Sequence, residues 1–248
     1  MTTDAISPLY RLLTWLSPAY PVGAFSYSQG LETAVTQGLV SDEASTQEWI
    51  EDSLTGGTQW SDAVIFANAL KAPAVETVAA VNEFALAFPA AAELRAETLA
   101  MGRAFAQTTM LAWPCERLDQ ALKKLGDDIT YPVAVACAAA GHRIEKDQAA
   151  EAWIHAGASN LVSAAVRLVP LGQSAGQRIL ARLEPTIVAQ AKAARATPLE
   201  DLATCTLLAD VCAMNHETQT TRLFRSRDQS TDPCALGLAG RSVRARPL

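Results

Sequence analysis

The chain has 248 residues, 50% of them apolar, and a formal net charge of −6 at pH 7. This length and apolar content allow one sizeable core and argue against wholesale disorder. The acidic balance argues against a bulk attraction to nucleic acid or anionic membranes, and no apolar run reaches the roughly 20 residues that span a bilayer. Five cysteines without a CxxC pair favour a reducing compartment. We therefore expect a cytoplasmic protein without a nucleic-acid or membrane partner.

The first half of the chain is rich in helix-favouring residues and is punctuated by Pro and Gly. Apolar residues recur at helical spacing over 6–16, which predicts the first helix. Ser41 is expected to cap the third helix, because acidic residues follow it in the first turn. The helices predicted after the first are 28–37, 42–55, 58–71, 74–86, 90–110 and a shorter one between Pro114 and Gly126.

The second half continues the helical pattern and has no convincing pair of strands. The segment Tyr131–Ala140 is almost entirely apolar, which indicates burial on all sides. Long helices are predicted over 147–169 and 174–195. Pro185 either kinks the second of these helices or starts its continuation.

The end of the chain contains one more helix signal. The tetrapeptide TPLE at 197–200 is typical of a capped helix start, which predicts a last helix over 198–218. Together the patterns predict an all-α fold, a single-domain irregular bundle of about ten helices over residues 1–226. Residues 227–248 contain Pro, Gly and Arg without a helical period, so we expect a flexible tail there.

The segment 17–32, SPAYPVGAFSYSQGLE, has the most unusual composition in the chain. Its two prolines restrict the residues before them, and Gly23 permits backbone angles that other residues avoid, so we expect an ordered turn. The turn has no nucleophile–base pair and no metal cage, which indicates a contact surface. Phe25, beside Gly23 and Ala24, is expected to face outward and anchor a partner. For Glu32 the alternative is a solvated carboxylate or a helix-dipole partner.

Two further polar segments allow more than one interpretation. Arg167 precedes a Pro-Leu-Gly break, and Gln173 and Gln177 follow that break one turn apart. This pattern fits an ordinary turn between helices or the polar lining of a contact surface or passage. The apolar pair in RLFRS at 222–226 either folds back on the body or becomes ordered by a partner.

Two sequence motifs for catalysis are missing, since the chain has no GxxxxGK[ST] and no HExxH. Cys205, Cys212 and His216 would share one face of the predicted last helix, and their side chains suit a soft or borderline metal. A nickel-binding storage protein is therefore one alternative, against the simpler interpretation that the cysteines are buried apolar residues. A helical hydrolase that uses Glu32 and a distant histidine is the other alternative, although the sequence predicts no pocket for it.

Four segments in register resemble the urease accessory protein F family. They are SPAYPVGAFSYSQGLE at 17–32, YPVAVACAAAGHR at 131–143, SNLVSAAVRLVPLGQSAGQ at 159–177 and DVCAMNHETQTTRLFRS at 210–226. The resemblance implies an all-helical homodimer that is not an enzyme and has no cofactor of its own. It also implies binding to a D- or H-type urease accessory protein on one side and to the accessory GTPase, protein G, on another. Such complexes deliver nickel to apo-urease with GTP hydrolysis.

The resemblance also assigns roles to individual residues. Phe25 and Arg167 fall at the interface with the GTPase partner, to which we add Glu32. The other assigned residues are Gln173 and Gln177 for a polar passage for nickel, His155 for the dimer contact, and Arg222, Leu223 and Phe224 for the interface with the D/H-type partner. The family usually ends near RLFRS, whereas 22 residues follow that motif here.

Overall fold

The computed structural model describes residues 7–225, so the expected tail at 227–248 lies outside the described residues. Within the described range every regular element is helical, which confirms the predicted all-α bundle. The α-helices are α1 (Pro8–Trp15), α2 (Leu31–Thr36), α3 (Glu43–Gly56), α4 (Thr58–Lys71), α5 (Val75–Ala87), α6 (Ala92–Ala112), α7 (Glu116–Leu125), α8 (Tyr131–Gly141), α9 (Lys146–Leu168), α10 (Gln173–Ala196) and α11 (Leu207–His216). The 3₁₀ turns are Ala24–Ser26, Gly126–Asp128 and Leu199–Asp201.

Helix α8 lies at the centre of the bundle, between α4 and α6. Every residue from Val133 to Ala139 is 0% exposed, which confirms the predicted burial on all sides. Small side chains allow this close packing. Gly102 on α6 is required for it, because a Cβ there would collide with the backbone of Ile129 and Thr130. None of the described helices is both long and apolar enough to cross a bilayer.

A second, smaller apolar cluster joins α2, α9 and α11 at one side of the bundle. It contains Leu31, Ala164, Val169, Cys212 and Phe224, all buried. These residues come from distant parts of the chain, and their burial brings the turn before α2 next to the end of the described chain. This cluster therefore positions the candidate site.

Two helix boundaries differ from the sequence prediction in detail. Asp42, rather than Ser41, caps α3: its carboxylate accepts the Ser45 N–H at 2.8 Å, and the Ser45 hydroxyl accepts the Asp42 N–H at 3.1 Å. This is a reciprocal capping box. Helix α10 runs unbroken through Pro185, so the two expected pieces form one helix.

The predicted last helix over 198–218 is wrong. Thr197 is the C-cap of α10, where its hydroxyl donates to the Ala193 carbonyl oxygen at 2.9 Å. A single 3₁₀ turn follows, and residues 202–206 have no helical structure. The Cys205 N–H donates to the Gly56 carbonyl oxygen at the end of α3, at 2.8 Å. In a continuous helix the Cys205 N–H would donate to a carbonyl oxygen one turn earlier in the same helix, so its bond to Gly56 is incompatible with that helix. Helix α11 begins only at Leu207.

Candidate functional site: the Phe25 turn and the C-terminal segment

The Phe25 turn, residues 17–30, connects α1 to α2. Gly23 has a left-handed backbone (φ 75°) and precedes the 3₁₀ turn that contains Phe25. Tyr20 and Tyr27 are buried, and the Tyr20 hydroxyl lies 2.8 Å from the Thr109 hydroxyl. Phe25 is 58% exposed. The turn is therefore anchored by two inward tyrosines, and the expectation that Phe25 faces outward is confirmed.

Arg167, exposed near the end of α9, joins this turn to the C-terminal segment, residues 219–225. Its Nη2 donates to the Phe25 carbonyl oxygen at 2.7 Å, and its guanidinium carbon lies 4.2 Å from the centre of the Phe224 ring. Beside it the Arg225 N–H donates to the Ser26 carbonyl oxygen at 2.8 Å. The two segments expected to contact different partners are thus in direct contact with each other.

Beneath the C-terminal segment lies a buried carboxylate–imidazole–carboxylate cluster. His216 is 0% exposed, with Nε2 at 2.9 Å from Glu32 Oε2 and Nδ1 at 2.8 Å from Glu93 Oε2. A neutral imidazole has a single N–H, so carboxylates at both nitrogens fit an imidazolium. Burial would lower the pKa of His216, but the hydrogen bonds and charges of Glu93 and Glu32 outweigh burial and raise it. The cluster therefore favours the charged form of His216.

The same carboxylate of Glu32 holds the C-terminal segment. Its Oε1 accepts the Leu223 N–H at 2.5 Å and its Oε2 accepts the Phe224 N–H at 3.0 Å. Glu32 is only 5% exposed, so the alternative of a solvated carboxylate is wrong. An effect of Glu32 on a partner must pass through the backbone that it binds. Of the three residues assigned to the D/H-type interface, Phe224 is buried, Arg222 is half-buried and Leu223 is exposed.

The pairing of Glu32 with His216 gives no support to the hydrolase alternative. A general base must reach a substrate proton by a hydrogen bond. Both nitrogens of His216 are already bound, its ring has no exposed surface, and neither residue lines the cavity described below. The pair is placed to hold the C-terminal segment rather than to act on a substrate.

The proposed metal ligands of the storage alternative do not share a helix face. Cys205 lies before α11 and is exposed, whereas Cys212 is buried within it. His216 has both nitrogens bound to carboxylates. Over residues 7–225, no group of three or more His, Cys, Asp or Glu side chains is placed to hold a metal ion. The helical spacing on which that alternative depended is therefore wrong.

A cavity of about 490 Å³ opens beside Phe25, and we call it the acidic cavity. Its polar lining includes Gln29, Gln59, Asp62 and Glu97. Three of these side chains are joined by hydrogen bonds. Gln59 Nε2 donates to Gln29 Oε1 at 2.8 Å, and Gln29 Nε2 donates to Glu97 Oε1 at 3.0 Å. The sequence did not indicate this cavity. Gln59 and Glu97 are polar residues within helices, and the local sequence pattern does not show whether such residues face solvent or a cavity.

The acidic cavity changes the protonation of its carboxyl groups. Burial raises the pKa of Asp62 to about 7. Burial, with the charges of Asp62 and Glu93, raises the pKa of Glu97 to about 8 against the opposing hydrogen bond from Gln29. Both carboxyl groups therefore hold their protons to a much higher pH than in an unfolded chain.

The raised pKa of Glu97 gives the stability of the protein a defined pH dependence. Above pH 4.5, its ordinary pKa, the carboxyl is ionised in the unfolded chain and still protonated in the folded chain until about pH 8. Unfolding then releases a proton, so we expect the free energy of unfolding to fall as the pH rises across this window. In urea titrations at several pH values, Glu97→Gln should flatten this fall. Glu83→Gln, on the exposed side of α5, is the control, and an equal flattening by both variants would contradict the assignment.

The remaining assigned residues lie elsewhere. Gln173 and Gln177 are exposed on the first turns of α10 and do not line the acidic cavity. His155 is exposed on α9 and lines the cavity beside Ser159. The dimer role of His155 and the passage at the two glutamines stay predictions.

Comparisons with known proteins agree on one family. A family model described as UreF matches residues 40–184. Urease accessory protein UreF of Rhodopseudomonas palustris (strain BisB5) is 44% identical over 91% of this chain and 94% of the relative. The UreF of Azorhizobium caulinodans is 44% identical over 90% of this chain and 98% of the relative. The described helices, the buried Val133–Ala139 segment and the long matches together show that this chain belongs to the UreF family of urease accessory proteins.

Proposed function

We propose that this protein links a D- or H-type urease accessory protein to the accessory GTPase, protein G, in a cytoplasmic complex that delivers nickel to apo-urease with GTP hydrolysis. It works as a homodimer through contact surfaces and catalyses no reaction itself. Membership of the UreF family supports the process. One observation supports the linking role. The exposed Phe25 ring is part of a turn whose backbone Arg167 binds, and Arg167 also contacts the C-terminal segment, so the two proposed contact surfaces lie side by side.

The GTPase side of the proposed linker is the Phe25 turn. An exposed aromatic ring on an anchored turn loses little conformational freedom on binding, which suits an interface centre. Arg167 acts as a positioning residue, because its bond to the Phe25 carbonyl oxygen fixes the turn from the α9 side. Nucleotide binding and hydrolysis belong to the partner.

The D/H-type side is the C-terminal segment with the neighbouring face of α11. Leu223 is 64% exposed on a backbone that Glu32 anchors, so a partner meets an apolar side chain in a fixed position. On α11, Leu207 and Leu208 are also exposed. Nickel is cargo in this scheme.

Replacement of Phe25 tests the proposal directly. Phe25→Ala should leave the fold intact and weaken capture of the GTPase by about tenfold or more, as expected for a buried aromatic anchor in an interface. The measurement is co-purification from cells that co-express the tagged variant with the other urease accessory proteins, together with a urease activation assay. Leu111→Ala is the control for the loss of an exposed apolar side chain, because Leu111 is 88% exposed on α6 and does not line the cavity beside Phe25. Unchanged co-purification of the GTPase with Phe25→Ala would reject the assignment.

A further inference from the structure

A second concave surface, which we call the arginine groove, lies where α1 begins and α8 ends. Its lining residues are Pro8, Arg11, Pro114, Gly141, His142 and Arg143. None of them belongs to the Phe25 turn, the C-terminal segment or the acidic cavity. Two arginines and a histidine thus face a shared groove in a chain whose net charge is −6.

Arg11 is the anomalous residue of this groove. It is only 9% exposed, and within residues 7–225 its guanidinium makes no ion pair or hydrogen bond, with Nε fully enclosed. A buried charge without a partner is strongly destabilising, and buried polar groups in folded proteins are nearly always bound. Arg11 therefore brings a guanidinium to the groove without an anionic partner among residues 7–225.

The groove residues near Arg11 are basic, so they do not neutralise its positive charge. Arg143, also on the groove and exposed, has no ion pair with any described residue and adopts a left-handed backbone with φ of 55°. Arg117 lies against Gly141 and has its own Nε buried without a partner. Burial lowers the pKa of His142, and the positive charge of Arg11 lowers it further, against the hydrogen bond to the Trp113 carbonyl oxygen.

We infer that the arginine groove binds a small oxyanion of the phosphate class between Arg11 and Arg143. A guanidinium presents paired N–H donors in a plane, which match two oxygens of a phosphate. The anion would neutralise the buried charge of Arg11, and the open side of the groove leaves room for either free phosphate or a phosphoryl group on a larger molecule. The inference does not depend on the proposed linking function.

Thermal unfolding of the full chain tests the inference, with inorganic phosphate up to 5 mM as the probe and sodium chloride at matched ionic strength as the reference. We expect phosphate to raise the unfolding midpoint in a saturable way. Arg143→Gln should weaken the apparent affinity for phosphate about tenfold. Arg11→Met should abolish the response, because it removes the guanidinium that would hold the anion. Arg95→Gln, an exposed arginine of α6, should respond like the unmodified protein.

The outcomes separate the site from a general salt effect. A phosphate response no larger than that of chloride, or an equal response in Arg143→Gln and Arg95→Gln, would overturn the inference. Glycerol 2-phosphate, run in parallel, distinguishes the sources of the anion. A response to inorganic phosphate alone assigns the free ion, whereas a response to both assigns a phosphoryl group on a larger molecule.

Discussion

Replacing His216 with alanine is expected to lower the free energy of unfolding by about 3–5 kcal/mol at neutral pH. The imidazolium lies between two buried carboxylates, at 2.9 Å from Glu32 and 2.8 Å from Glu93. Its removal leaves two negative charges in an apolar environment without the positive charge between them. Urea unfolding followed by circular dichroism measures the change.

Two further variants make this prediction specific. His155→Ala, at an exposed position of α9, should change the free energy of unfolding by about 0.5 kcal/mol or less. Glu93→Gln combined with His216→Ala should recover part of the loss, because one of the unpaired carboxylates is gone. If His216→Ala cost no more than His155→Ala, the buried cluster would not stabilise the fold.

The pH dependence of this cluster has a definite sign. The pKa of His216 is raised in the folded protein, so its contribution to stability is fully present below about pH 6.5, its ordinary value. That contribution is lost as the pH rises through the raised folded value. The C-terminal segment, which Glu32 holds, should loosen in the same range.

Truncation after Thr221 is expected to weaken capture of the D/H-type partner by about 30-fold or more, the effect of losing an interface hot spot. The truncation removes the exposed Leu223 and the buried Phe224, and it takes two backbone donors from Glu32. His216 and its carboxylates stay in place. Co-expression with the partner followed by affinity purification and size-exclusion chromatography measures the complex.

Truncation after Ser226 is the matched control, because it removes only residues 227–248 and keeps the whole C-terminal segment. It should capture the partner as the full chain does. Equal loss of capture by both truncations would move the interface into 227–248. Full capture by the shorter chain would contradict any role for the Leu223 region.

Much of the fold was predictable because the relevant signals are local. The apolar run at 131–140 acts within a few helical turns and the structure follows it, whereas the cap of α3 is displaced by one residue, from Ser41 to Asp42. The prediction of a helix over 198–218 used the same kind of signal and is wrong, because the Cys205 backbone bonds to Gly56 instead. A hydrogen bond between such distant residues has no local pattern in the sequence.

Periodicity, motifs and the small neighbours of one residue were enough to predict the helical class, the family and the outward position of Phe25. The contacts of Glu32 and Arg167 could be seen only in the folded protein. The Glu32–His216 contact spans 184 positions and the Arg167–Phe25 contact spans 142. Such contacts form because packing of α2, α9 and α11 buries an apolar cluster, and a buried charge must then find a partner within that packing.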